Sequence, residues 1–206
     1  MRKINFTNLQ EEFLSLENEF VKTFKRIGKE GDFILGKELK KFEDNVKKFL
    51  KVKYVVGVGN WTEGMIMVCK ALNFKDDDEI ITVSNSFVAT CGAIAYAGCK
   101  PILVDVDETL NINIDLIKRK ITKKTKAIMP VHLSGIPSNL EKIKSIIKRK
   151  KILLIEDAAH AFGSKYKNKY LGTIGDIGIF SLHPRKNFHV LGDGGLIVTN
   201  NKKIYK

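Results

Sequence analysis

Two segments of the chain hold residues able to do covalent chemistry. Ser181-Leu182-His183-Pro184-Arg185-Lys186-Asn187 follows a β-branched run, and Gly192-Asp193-Gly194-Gly195 comes shortly after it. A lysine beside glycine-rich backbone either holds a phosphate or serves as a nucleophilic amine. A phosphate-binding loop of the Walker kind needs G-x-x-x-x-G-K-[ST] at the opening of a helix, and the sequence has none. Alone, Lys186 is also one basic residue among 36 Lys and Arg, and a surface role would suit it. The second segment changes the balance. Ile152 to Ile155 reads as a buried strand leading into Glu156-Asp157-Ala158-Ala159-His160-Ala161, which puts Asp157 just past a strand end among small residues. Taken by itself, such an aspartate serves equally well as a helix N-cap.

A carboxylate and an amine delivered by two strand ends are the pair that pyridoxal phosphate (PLP) chemistry requires. The carboxylate keeps the pyridine nitrogen protonated, so that the ring acts as an electron sink, and the amine holds the aldehyde as an imine. A phosphate site is also available. Asn60-Trp61-Thr62-Glu63-Gly64 opens a helix after the first strand, and a helix N-terminus offers unpaired N–H groups and a positive dipole end. The Thr62 hydroxyl adds a donor, and Ser181 another from a distant strand; Thr62 alone reads equally as an N-cap. Phe87, in Ser84-Asn85-Ser86-Phe87-Val88-Ala89-Thr90, follows a strand end and can stack on a pyridine ring. Taken alone, core packing is the commoner use of such a residue.

Hydrophobic periodicity supplies the elements that must hold these groups. Leu9, Phe13, Leu16, Phe20, Phe24 and Ile27 form one helical stripe ending near Gly28 and Gly31. Leu39, Phe42, Val46 and Phe49 mark a second helix. Strands are then expected at Tyr54 to Val58, Glu79 to Val83, Pro101 to Asp105, Lys126 to Val131, Ile152 to Glu156, Ile177 to Ser181 and Leu196 to Thr199. Helices are expected between them at Thr62 to Leu72, Phe87 to Ala97, Ile114 to Ile121 and Asn139 to Arg149. This alternation predicts an α/β fold with a mostly parallel sheet covered on both faces. Ligands of such sheets collect beyond the C-terminal strand ends. The loops there are Gly59 to Thr62, Ser84 to Phe87, His132 to Gly135, Asp157 to His160 and Leu182 to Gly195, which hold nearly every chemically interesting residue.

The chain has 206 residues, enough for one substantial core or one domain plus an arm. No apolar run is long enough to span a bilayer, and Met1-Arg2-Lys3-Ile4-Asn5-Phe6 lacks the apolar stretch of a signal peptide. A cytoplasmic protein without a membrane partner is expected. Cys69, Cys91 and Cys99 form no C-x-x-C pair and lie in apolar segments, as small buried hydrophobes in a reducing compartment do. No metal site is expected. The net charge of +13 invites a nucleic-acid role. Only Arg2, Arg26, Arg119, Arg149 and Arg185 are arginines, however, and the lysines spread over helix faces such as Lys40-Lys41, Lys47-Lys48 and Lys148 to Lys151. No cluster of arginine forks or stacking aromatics accompanies them, so solvated helix faces are expected and nucleic acid is not. A basic surface still attracts anionic substrates.

Taken in order, the motifs resemble those of the DegT/DnrJ/EryC1/StrS sugar aminotransferases, PLP-dependent enzymes of fold type I. The resemblance runs from about Phe33 to Lys206. It rests on Phe33-Ile34-Leu35-Gly36 with Phe42-Glu43, Ser86-Phe87-Val88-Ala89-Thr90, Val104-Asp105-Val106-Asp107 and His132-Leu133-Ser134-Gly135. Its strongest parts are Glu156-Asp157-Ala158-Ala159-His160-Ala161, Phe180-Ser181-Leu182-His183-Pro184-Arg185-Lys186 and Gly192-Asp193-Gly194-Gly195. The resemblance implies a three-layer α/β/α PLP-binding large domain over residues 31–206 after a helical arm over 1–30. It implies Lys186 as the Schiff-base lysine and Asp157 as partner of the pyridine nitrogen. Phe87 would cover one ring face, and Thr62, the backbone at Glu63, and Ser181 would hold the phosphate. His160 stands near the ring, at a position commonly Gln in the family. His132 and His189 would serve structure or the substrate pocket, and His183 takes no firm role. The reaction implied moves an amino group from an amino acid, usually glutamate, to a nucleotide-linked keto-sugar for amino-sugar and surface-polysaccharide biosynthesis. The full-length enzyme is expected to be a homodimer with its site at the subunit boundary.

The chain departs from the family pattern in three places. Trp61 stands where relatives carry Gly, and a Trp there is strained if that Gly has φ > 0, weakening the phosphate site. Asp77 occupies a turn position where Gly is common, and a solvated turn is expected. The small C-terminal domain of relatives is absent, so a fragment or truncated product exposing apolar area is expected. Three alternatives follow. A catalytically silent PLP-fold protein is favoured by Trp61 and the missing domain and opposed by Asp157 and Lys186. A deoxysugar dehydratase relative would carry His in place of Lys186. A nucleotide-binding domain would need a third glycine after Gly57-Val58-Gly59-Asn60-Trp61-Thr62.

Overall fold

The computed structural model describes residues 7–206. Met1 to Phe6, where the arm is expected to begin without the apolar stretch of a signal peptide, lie outside the described residues. The chain divides into two compact units, one running to Asn45 and one from Val46 to Lys206.

In the first unit the stripe over residues 9–27 becomes α1 (Leu9–Glu30). Asn8 caps it by accepting the Glu11 N–H, and Glu11 and Glu12 suit the positive end of the helix dipole. The helix passes through Gly28 and stops at Gly31, within the expected end region, where glycine adopts the left-handed φ of +67° without strain. None of its residues is buried. Asp32 then accepts the Lys37 N–H at 2.8 Å and starts α2 (Lys37–Leu50).

The second unit takes over α2 at its end. Lys51 holds φ +57° and the Val52 N–H returns to the Lys47 carbonyl at 3.2 Å. This is a Schellman stop with a β-carbon where glycine fits best. Lys51→Gly is expected to stabilise the chain by about 1 kcal/mol, read as a rise in Tm of about 2–4 °C. An unchanged Tm would show that Lys51 carries no strain.

The alternating elements follow: β1 (Tyr54–Val58), α3 (Trp61–Ala71), β2 (Glu79–Val83), α4 (Val88–Tyr96), β3 (Lys100–Val104), α5 (Ile114–Lys120), β4 (Thr125–Met129), α6 (Leu140–Ile147) and β5 (Leu153–Asp157). A small hairpin, β6 (Lys165–Tyr166) and β7 (Lys169–Tyr170), precedes β8 (Ile177–Ser181), β9 (Gly195–Thr199) and α7 (Lys202–Tyr205). The seven-stranded sheet has the order β1-β9-β8-β5-β4-β2-β3. Its pairs are parallel except those of β9, which runs antiparallel to both β8 and β1. No α-helix separates β8 from β9, so the chain turns straight back.

Right-handed crossovers fix the layers. The steps from β1 to β2 and β2 to β3 run one way along the sheet, and those from β3 to β4 and β4 to β5 run the other. This puts α3 and α4 on one face and α5 and α6 on the other. The core agrees: Ile80, Met129, Ile155 and Ile179 pack with Met65 and Val68 of α3 and Ile94 of α4. The α/β/α architecture with a mostly parallel sheet is therefore present in this unit.

Two departures resolve here. Trp61 opens α3 outside the left-handed region and buries its ring in the α3/α4 core at 6 % exposure, so the strain considered for it is absent. Asp77 does adopt the left-handed region, at φ +71°, in an exposed turn. Cys69 and Cys99 are buried, Cys91 is half-buried, and all three are free thiols. Burial pushes the Cys69 thiol up to about 12. Among the described residues no helix is long and apolar enough to cross a membrane.

Candidate active site

The ends of β1, β8 and β5 bring the chemical groups to one rim of the sheet. Gly195 pairs with Val58 on one side and Ser181 on the other. A β-carbon on Gly195 would sit 2.7 Å from the Asn60 carbonyl carbon and 3.0 Å from the Trp61 nitrogen. The start of α3 therefore rests on bare backbone, beside Ser181. Gly195→Ala is expected to cost about 1–3 kcal/mol by overpacking and to displace the start of α3. Thermal unfolding measures the first effect; an unchanged Tm would contradict the tight contact.

Asn60, not Thr62, is the N-cap of α3. Its Oδ1 accepts the Glu63 N–H at 2.9 Å, which removes the capping use considered for Thr62. It also means that the Glu63 N–H already has a partner. An anion at this helix start meets the Trp61 and Thr62 N–H groups first, and reaches Glu63 only by displacing Asn60. Ser181 is buried, and its Oγ accepts the His183 N–H at 3.3 Å.

Asp157 is the last residue of β5, one position inside the strand rather than past it. Pairing with Ile179 of β8 and a bridge to Val131 extend the ladder through it. No α-helix follows it, so it caps none. Its side chain lies 3 % exposed on the α3/α4 face. Thr90 Oγ1 donates to its Oδ2 at 3.2 Å and the Ala159 N–H to its Oδ1 at 3.1 Å. Burial raises the Asp157 carboxyl to about 6, against these hydrogen bonds and the nearby Lys186 charge.

Lys186 lies on the loop between β8 and β9. The loop is tied by Leu182 N–H to Gly194 O at 2.8 Å, Lys186 N–H to His183 O at 2.8 Å and Asn187 Nδ2 to Phe162 O at 2.7 Å. Burial lowers the Lys186 pKa, and the Asp157 charge opposes that. His160 completes the cluster. Its Nδ1 accepts the Ser134 N–H at 3.4 Å, which leaves the ring proton on Nε2. Burial lowers the His160 pKa, and the Lys186 charge lowers it further.

Phe87 stands at the β2–α4 junction with 74 % of its surface exposed, which rules out core packing. His132 is fully buried beneath the rim, His183 accepts the Arg185 N–H within its own loop, and His189 Nδ1 lies 3.3 Å from the Val190 carbonyl. Thr90, Ser134 and Asn187 contribute contacts that no single residue foretold. The only sequence signal for Thr90 and Ser134 was membership of the quoted Ser86 to Thr90 and His132 to Gly135 motifs.

The sequence profile of the DegT/DnrJ/EryC1/StrS aminotransferase family matches residues 14–206. This chain belongs to that family. Its relatives include a pleiotropic regulatory protein of Geobacillus stearothermophilus, 38 % identical over 96 % of this chain and 53 % of the relative. GDP-perosamine synthase of Escherichia coli O157:H7 is 43 % identical over 82 % of this chain and 47 % of its own length. In structure the family member resembles NtdA of Bacillus subtilis, determined with bound cofactor PMP, at a TM-score of 0.92 and 33 % identity, covering 100 % of this chain and 47 % of NtdA. The chain spans about half the length of the curated relatives it matches.

Proposed function

We propose that this chain is the cofactor-binding part of a PLP-dependent sugar aminotransferase, in which Lys186 bonds the cofactor aldehyde and Asp157 faces the pyridine nitrogen. One observation carries this: a buried carboxyl at the end of β5 and a half-buried amine on the β8–β9 loop face one another closely enough for their charges to interact, desolvation pushing the first up and the second down. That donor set fits the group. A buried carboxylate favours a cationic N–H partner, which stabilises its charge where water cannot. A lysine lowered by burial has more of its amine free to attack an aldehyde. The anion-facing start of α3 beside Ser181 suits the phosphate.

Bound PLP supplies an electron sink for the electron pair left when an amino acid loses its Cα proton. The chain's own groups do the rest. Asp157 holds the ring nitrogen proton. Once the amino group of the incoming substrate has displaced it from the aldehyde, the freed Lys186 Nζ would serve as the base that takes the Cα proton and then as the acid that gives it back on the cofactor side. Thr62, Ser181 and the helix start, with Glu63 in competition with Asn60, hold the phosphate. Phe87 would cover a ring face, and His160 would stand near the ring.

The amino donor is an amino acid, glutamate by family resemblance, and the acceptor a nucleotide-linked keto-sugar, as the likeness to a perosamine synthase suggests. The full-length protein would act as a cytoplasmic homodimer. Lys186 itself speaks against the dehydratase alternative, which calls for His at that position.

The test is visible absorption of the chain mixed with PLP, followed by borohydride and peptide mapping. An imine band fixed by borohydride onto the Lys186 peptide is expected. No band, or label on another lysine, would overturn the assignment.

A further inference from the structure

We propose that His132 and Glu156 are positioning residues for Asp157, holding its carboxylate in direction from the opposite face of the sheet. This rests on the functional assignment above for its purpose, but not for its test. Neighbouring strand residues point to opposite faces. Asp157 points to the α3/α4 side, so Glu156 points to the other, where it is fully buried.

Glu156 is gripped there by four donors. Its Oε1 accepts the Ile174 N–H at 2.7 Å and the Gly175 N–H at 2.5 Å. Its Oε2 accepts the Gly172 N–H at 2.8 Å and faces His132 Nε2 at 3.0 Å. The Ser138 N–H is given to His132 Nδ1 at 3.2 Å, so the ring proton belongs on Nε2, directed at Glu156. The His132 backbone grips the same strand end. Its N–H goes to the Asp157 carbonyl at 3.0 Å, and the Asp157 N–H goes to Pro130 O at 3.0 Å.

His132 therefore binds both the peptide unit of Asp157 and the side chain beside it. Turning Asp157 off its axis would turn Glu156 with it and break bonds in a place water does not reach. Well-packed apolar residues would often stabilise such a core as well as a buried polar pair does. What the polar pair adds is a fixed orientation, next to a carboxylate whose direction matters. Neither residue touches the reacting groups.

The experiment is a carbon-13 NMR titration of the Asp157 carboxyl in the full chain without cofactor, for wild type, His132→Leu and His132→Gln, paired with PLP dissociation constants from absorbance. Loss of an outer partner of a metal ligand typically weakens binding by about 10–100-fold, and the same scale is expected at Asp157. We expect His132→Leu to weaken PLP binding in that range and to shift the Asp157 titration. His132→Gln should restore both, since its amide spans donor and acceptor. If His132→Leu lowers only the thermal stability and leaves both readouts unchanged, the role is structural and the proposal is overturned. If His132→Leu does not fold, nitrogen-15 NMR of wild-type imidazoles decides, because a proton on Nδ1 instead of Nε2 contradicts the device. A wild-type chain that never binds PLP defeats the functional assignment alone, and the Asp157 titration still settles the positioning role.

Discussion

Lys186→Ala is expected to lose transamination in the full-length protein by at least about 10⁴-fold, the upper end of what a positioned general acid–base supplies, while keeping part of its cofactor affinity. The loss should be this large because one amine has three tasks in the proposed function: bonding the aldehyde, removing a proton and returning it. The loop that carries it is tied through backbone and Asn187 contacts that do not involve its side chain, so the rest of the site should persist. Removing the amine also has an electrical signature. The Lys186 charge lowers the pKa of both Asp157 and His160, so both should titrate higher in the variant. Steady-state turnover together with NMR titration of these two groups measures both effects. Full transamination in the alanine variant would remove Lys186 from the chemistry.

Asp157→Asn should act in opposite directions on activity and stability. Activity should fall by more than about 10³-fold, as for loss of a group that stabilises developing charge. Stability of the cofactor-free chain should rise. A carboxyl moved from its ordinary 3.8 up to about 6 is favoured in its protonated form by folding. In this range the folded state holds more protons than the unfolded one, so stability falls as pH rises from about 4 to about 6. Above that the strain of the buried charge is fully present, at about 3 kcal/mol. Asparagine cannot ionise, and it keeps the contacts. Its Oδ1 can accept the Ala159 N–H, and the Thr90 hydroxyl can rotate to receive its amide. The Tm advantage of the variant should grow from near zero at pH 4 to about 6–12 °C at pH 8, without cofactor. A difference that ignores pH would mean that Asp157 does not titrate as its burial requires.

Much of this was legible in the sequence wherever a local pattern decides. Glu79–Val83 and Ile177–Ser181 were placed residue for residue, because β-branched runs bounded by turn residues have one sensible strand. What periodicity could not give was partnership. The antiparallel course of β9 depends on the absence of a helix in the preceding loop, and β6 and β7 are two residues each. Asp157 lies one position deeper than expected because its pairing with Ile179 carries the β5–β8 ladder through it, which only the neighbouring strand can reveal. The same holds for the site. Lys186, Asp157 and His160 were named from their segments. Thr90 reaches Asp157 across 67 residues of sequence and Asn187 reaches Phe162 across 25, distances at which no local spacing speaks. Trp61 left two backbone options open, and the packing of α3 against α4 chose between them.

The place of β9 in the sheet also sets an order of assembly in time. Among the described residues β1 is an outermost strand whose neighbour is β9, with Tyr54 opposite Thr199. On a ribosome working at about 5–20 residues per second, Tyr54–Val58 waits on the order of 10 s before its partner has been made. The parallel strands between can pair meanwhile, but the rim where α3 meets Gly195 and Ser181 cannot close until β9 has been made. Through that interval β1 is an unpaired β-branched edge, the kind of surface that recruits other chains.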